Sequence, residues 1–407
     1  MPRAFAGSNA VLNWMGSGMV GGIIGMEKRF TIDGSEQLED GLKQICVRVR
    51  REVQVETERN DLEAIVLGGG YGRGEGGVLR TEAGDQPYND LEFYVFLRGH
   101  RVLQEYRYGS ALHDLGQSLS IETGLQVEFK IDSAARWRRS PVSMFSYDLL
   151  SGHRIIFGDE SVFEDCEHHL DSAAIPLCEA TRLMFNRCSG LLLARELLQK
   201  DHLTSEDAEF INRNLAKMQL ALGDTVLTAF GQYDWSVQER HRRLGDLAAD
   251  GLPPWLPDIL TYHKAGAAFK LHPRRVAKAR DEFALEHRRL TELAMQIWLW
   301  LEERRLEQPF HSASDYALRD MDKCPEARGW WNCLLNLRSF GAKAAVATVS
   351  RRYPRGRLLN ALALLLWHAE EVAQPCLLRH LQRELQTKAV DWPGLVKVFK
   401  QIWPAYG

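Results

Sequence analysis

Between residues 64 and 93 an apolar run, Ala64 to Leu67, enters the turn Gly68-Gly69-Gly70-Tyr71-Gly72-Arg73-Gly74-Glu75, and a second apolar run then carries Asn89-Asp90-Leu91-Glu92-Phe93. The glycines between the two apolar runs read as a turn in which several residues can adopt φ > 0. On a strand, alternate residues share a face, so Asp90 and Glu92 project together while Leu91 and Phe93 turn into a core. Two carboxylates on one face repel unless a cation stands between them. Mg²⁺ is held by one or two carboxylates together with substrate phosphates. Glycine amides approach a phosphate closely. Inside the loop, Arg73 suits bidentate phosphate contact, and the Tyr71 ring packs or stacks.

Gly72-Arg73-Gly74-Glu75-Gly76-Gly77 also matches G-x-G-x-x-G, but that motif has to open a helix. The segment behind it carries Gly84, Asp85 and Pro87, which break one. Glu75 would put negative charge beside a pyrophosphate, and no G-K-[ST] follows, so a dinucleotide site and a Walker-type loop are both set aside.

The segment resembles the signature of the polymerase-β-like nucleotidyltransferase superfamily: a hydrophobic residue, Gly, then Gly or Ser, a variable stretch, and a D-x-[DE] strand. Gly69-Gly70-Tyr71-Gly72-Arg73-Gly74-Glu75 is similar to the G-S-x-A-R-G-E loop of its antibiotic-modifying and related small-molecule branches. The resemblance implies that Gly69 and Gly70 hold the triphosphate of an NTP, beside which Tyr71 and Arg73 are expected as further nucleotide contacts, and that catalytic metal, Mg²⁺ or Mn²⁺, sits on Asp90 and Glu92. Two departures stand out: Gly70 replaces the commoner serine, and the stretch to Asp90 is long enough for a hairpin insertion at 78–88.

Members of that superfamily usually carry a third acid on a neighbouring strand. Residues 125–132 alternate apolar Leu125, Val127, Phe129 and Ile131 with polar Gln126, Glu128, Lys130 and Asp132, a strand pattern. Glu128 or Asp132 can complete the triad, and the mid-strand Glu128 is favoured; the resemblance makes it a metal ligand and general base. Lys130 on the same face can neutralise Glu128 or meet a phosphate. In the helical half the resemblance points to Lys217 as a lysine reaching the triphosphate. Asp224 is weighed as an acceptor-side base, and His263, Lys264 and Lys270 are expected at the surface.

With 407 residues the chain suits two domains. Expected helices at 36–58 and 101–119 and strands at 64–67, 90–97 and around 127 give an α/β (α+β) domain with a small mixed sheet. Residues 143–159 read as a helix, a turn and a short strand. From about 174 the apolar spacing is helical to the end, with helices expected at 208–230, 274–307, 330–350 and 357–388. The expected division is an extension at 1–26, a nucleotidyltransferase-like catalytic domain at 27–172 and an all-α bundle at 173–407 that closes over the substrate. Residues 4–26 carry no charge but many glycines. They lack the compact apolar core of a signal peptide, and an extension is preferred over a weak anchor.

Seven scattered cysteines without C-x-x-C spacing suit reduced thiols in a cytoplasm, and Cys166, His168 and His169 lack the second ligand pair a zinc site needs. A net charge of -3 argues against broad nucleic-acid binding, so a small-molecule or protein acceptor is preferred to RNA. No segment is expected to span a membrane. The expected activity is Mg²⁺-dependent transfer of an NMP, AMP being the expected group, from an NTP to a hydroxyl. The alternatives are an inactive scaffold with the same fold and a toxin of a toxin–antitoxin pair.

Overall fold

The computed structural model describes residues 28–249, 254–275, 278–342, 344 and 351–407; the expected extension at 1–26 lies outside them. The chain is mixed α+β, with a small sheet in its first part and a helical C-terminal region. The sheet has four strands in the order β5-β4-β1-β6: β1 (Leu62–Leu67), β4 (Leu91–Leu97), β5 (Val127–Asp132) and β6 (Arg154–Phe157). β1 runs antiparallel to β4 and β6, whereas β4 and β5 are parallel. Parallel neighbours need a crossover connection, which α3 (Arg101–Thr123) supplies. A separate hairpin, β2 (Val78–Thr81) and β3 (Gly84–Pro87), fills the expected insertion.

The two faces of the sheet are covered differently. One carries Ile65, Leu67, Phe93, Val95, Val127 and Ile131 against α1 (Glu36–Glu56) and α3. The other carries Ala64, Val66, Tyr94 and Phe96 against Trp137, Leu149 and Phe163. Strand alternation puts Glu92 in line with Tyr94 and Phe96, and Glu128 in line with Lys130 and Asp132. Along this face Phe96 and Asp132 are buried, whereas Glu92 and Glu128 at the strand starts are only partly covered. The aromatic cover thus ends where the acids begin.

α6 (Leu177–Leu198) and α7 (Ser205–Ala229) open the helical region and share a core that includes Leu191, Leu192, Leu215, Met218 and Leu222. α8 (Val237–Ala249), α9 (Leu256–Leu271) and α10 (Arg280–Leu306) follow. Three expected helices differ. The one at 274–307 starts at Arg280, with 276–277 outside the described residues. The one at 330–350 is described as Asn332–Phe340, with 345–350 outside the described residues. The one at 357–388 is two helices, Arg355–Trp367 and Pro375–Leu385, the second opening on Pro375, which suits a first turn. Among the described residues no helix is long and apolar enough to cross a membrane.

Candidate active site

Asp90, Glu92 and Glu128 converge at the open end of the sheet. Each offers a carboxylate oxygen, and these lie within 4.8 Å of one another. The register explains it: Leu91 pairs with Val127 and Glu92 with Glu128, so parallel pairing sets two glutamates side by side. Leu91 N–H donates to Gln126 C=O at 2.8 Å, which fixes Asp90 at the mouth. The alternative third acid, Asp132, is elsewhere: it accepts from Arg136, Trp137 Nε1 and its neighbour Ser133 N–H, under the aromatic cover.

Lys130 stands among the acids. Its Nζ is 2.7 Å from Glu92 Oε1 and 3.6 Å from Glu128 Oε2. Partial burial opposes its charge, but Glu92, Glu128 and Asp90 outweigh burial and hold its pKa above the ordinary lysine range. Gln126 donates to the other oxygen of Glu128 at 2.6 Å. Asp90 makes no hydrogen bond or ion pair among the described residues.

The glycine loop lies against this cluster. Gly68 N–H donates to Glu92 C=O at 2.9 Å. Gly69 has φ +63, and a Cβ there would sit 3.2 Å from Glu92 Oε2, so only a glycine brings the backbone this close without strain. Gly69–Arg73 forms one helical turn, α2. At Gly72 a Cβ would fall 2.2 Å from Leu67 C=O, which leaves no room for a side chain.

Two of the expected nucleotide contacts need correction. Tyr71 is 1% exposed, and its hydroxyl donates to Gly77 C=O and accepts from Tyr88 N–H. Its ring packs inside the loop, because burying an aromatic with both hydroxyl bonds met costs little, and it cannot stack on a base. Arg73, expected on a phosphate, is paired with Asp148 of α5 (Met144–Ser151) at 3.1 Å and packed over Gly152.

Glu75, which the sequence offered no role, joins the two parts of the chain. It is 6% exposed and accepts from Ser236 Oγ (2.8 Å) and Val237 N–H (3.0 Å) at the start of α8, with Lys270 Nζ at 3.5 Å. A carboxylate is favourable at a helix start, where the backbone N–H groups lack intrahelical partners. The only sequence trace of this latch is the pairing of an acid in the loop with Ser236 ahead of a helix.

Lys217 of α7 faces solvent beside the acids. Crowding by protein, then Arg187 and Arg213, pushes its pKa down to about 8, while Asp90 pulls the other way. Lys217 makes no hydrogen bond or ion pair among the described residues. Arg187 likewise makes no hydrogen bond or ion pair among the described residues, and burial lowers its pKa. Asp224 is not open to an acceptor: Arg240 Nη1 is 2.5 Å from one oxygen and His263 Nε2 3.3 Å from the other. Burial opposes its charge, but Arg240 and His263 hold its pKa below the usual carboxylate range. Expected at the surface, His263 is fully buried, and Lys270 is 18% exposed at the junction. Both sit on a helix, α9, that packs on α7 and α8 rather than on solvent.

No protein-family model, no curated protein and no solved structure matches the chain.

Proposed function

We propose that the chain is a divalent-metal-dependent nucleotidyltransferase that moves a nucleoside monophosphate from an NTP to a hydroxyl group. The observation that carries this is the convergence of Asp90, Glu92 and Glu128 within 4.8 Å, edge to edge with the glycine turn. Three carboxylates make an all-oxygen donor set, which suits Mg²⁺ or Mn²⁺ better than a softer metal. Asp90, Glu92 and Glu128 would hold the ion, which when bound neutralises phosphate charge and lowers the cost of phosphoryl displacement.

The chain's own groups do the rest. Gly69 brings backbone against Glu92, and a triphosphate can lie along the turn at Gly69 and Gly70. The Lys217 ammonium, without a hydrogen bond or ion pair among the described residues, meets phosphate oxygens from the helical side. Glu128 takes the proton of the attacking hydroxyl at Oε2. The acceptor oxygen forms a bond to the α-phosphorus as the bond to pyrophosphate breaks. The Glu75 latch holds the loop against α8, so both walls of the cleft keep their positions. The net charge of -3 favours a small-molecule or protein acceptor over nucleic acid.

The test is calorimetry with each of the four NTPs and Mg²⁺, on wild type and on Asp90→Ala/Glu92→Ala, ATP first. Metal-dependent binding lost in the double variant is expected, followed by pyrophosphate release once an acceptor is supplied. Wild type that binds no NTP in the presence of Mg²⁺ or Mn²⁺ sinks the proposal. That outcome favours a second reading, an inactive binding protein of the same fold, for which the contact of Lys130 with both glutamates speaks: an ammonium already offsets part of their charge.

A further inference from the structure

The acids of the cluster are not equivalent. Glu92 and Glu128 already have protein donors on their oxygens: Lys130 Nζ touches both, Gln126 holds the second oxygen of Glu128, and Tyr94 hydroxyl lies 3.5 Å from Glu92 Oε2. Asp90 has none among the described residues. Lys130 is also placed with care. It pairs in register with Tyr94 across the parallel ladder, and its Nζ stands 5.5 Å above that ring. The ammonium thus stands over an aromatic ring and between two carboxylates that register has set side by side. Lys130 lies on β5, an edge strand of the four-stranded sheet, and its side chain is 43% exposed, so it has room to leave.

We propose that Lys130 is a displaceable counter-cation: a divalent ion arriving at Asp90 takes over Glu92 and Glu128 by expelling the Lys130 ammonium, which then pairs with a phosphate oxygen of the nucleotide. This rests on the metal site proposed above. No covalent bond changes in the exchange; one cation replaces another, and the freed ammonium needs an anion. In the absence of nucleotide the ion must break the lysine pairing without recompense, so the ion binds weakly. With nucleotide present the phosphate receives the lysine, so the ion binds tightly. Lys130 thereby couples the two ligands, and the coupling is reciprocal. It guards the acids against a stray divalent ion while no substrate is in the cleft.

The experiment is Mn²⁺ titration, read by electron paramagnetic resonance, of wild type, Lys130→Met and Lys130→Arg, each with and without a non-hydrolysable ATP analogue. Thermal unfolding of each variant confirms the fold. In Lys130→Met, Mn²⁺ alone is expected to bind about tenfold tighter, because a positive charge within contact distance of two ligands is gone. The tightening produced by the analogue is expected to shrink by a similar factor. Lys130→Arg keeps the charge and is expected to retain the wild-type coupling. If wild type binds Mn²⁺ but Lys130→Met has the same or weaker affinity and the same coupling, the counter-cation role is wrong and the metal site stands. If neither binds Mn²⁺ with or without the analogue, the metal site itself falls, and this inference with it.

Discussion

Asp90 is exposed one residue before β4, and its carboxylate is the open end of the acid cluster. Asp90→Ala should therefore weaken Mn²⁺ binding by more than the roughly 10–100-fold that loss of a supporting outer-shell group costs, with unfolding unchanged; titration with the ion and a melting curve check both halves. Lys217 has a pKa pushed down to about 8, chiefly by its crowded surroundings. Phosphate binding favours the ammonium, so the contribution of Lys217 to nucleotide affinity is complete well below pH 8 and fades as the pH rises through it. Affinity measured from pH 6.5 to 9.5 should drop by about tenfold through loss of one charge-assisted contact, and Lys217→Met should flatten that part of the profile. At this scale the sequence was legible where side-chain direction follows from strand alternation: Asp90 and Glu92 needed only the period of two, which left Glu128 and Asp132 as equal candidates on one face. It misled at Tyr71 and Arg73. Their side chains leave a single helical turn, Gly69–Arg73, too short for a periodicity to say which way a residue turns.

At the level of elements, the glycine turn is fixed by what surrounds it. A Cβ on Gly72 would meet the backbone oxygen of Leu67 at 2.2 Å, and backbone cannot swing aside as a side chain can. Gly72→Ala is expected to cost about 1–3 kcal/mol, the usual range for overpacking, and to displace Gly69 from Glu92. Denaturant unfolding and Mn²⁺ affinity should fall together. The Glu75 latch belongs to the same turn. Glu75→Ala leaves Ser236 Oγ and Val237 N–H without their acceptor, at an expected cost of about 1–3 kcal/mol; an unchanged unfolding midpoint would show that α8 is held by other means. Most elements could be read from apolar spacing, including the helix-turn-strand at 143–159, whereas the hairpin at 78–88 was legible only as extra length before Asp90. The helix expected at 357–388 is two: the first ends at Trp367 and Pro375 opens the second, and apolar spacing alone does not mark where a chain leaves one helix and starts another.

Across the whole molecule, the junction between sheet and helical region is lined with buried charge. Arg73 pairs with Asp148, Arg240 with Asp224, and Lys270 with Glu75. Burial, with Arg73 and Arg240 nearby, pushes the pKa of Lys270 down to about 7 from an ordinary 10.5. Between those values the unfolded chain keeps a proton that the folded chain has given up. The Lys270 contribution to stability therefore rises as the pH climbs from about 7 towards 10. Compared with Lys270→Met, wild type should gain stability over that window; denaturant unfolding at pH 7, 8.5 and 10 measures the difference, and a constant gap would show that Lys270 stays charged in the fold. By itself the sequence determined the strand faces, the bend at the glycines, the acids that share a face and the helical character of the second half, because each follows from local periodicity or from backbone freedom. The tertiary structure alone decided that Glu128 rather than Asp132 joins the cluster, since that depends on the register between β4 and β5 and on where the aromatic cover ends. It also turned Glu75 from a loop acid into a cap for α8, buried His263 and Lys270 under a helix packed on its neighbours, and set Lys130 between two carboxylates. Those outcomes depend on which distant segments meet, and no spacing along one chain records that.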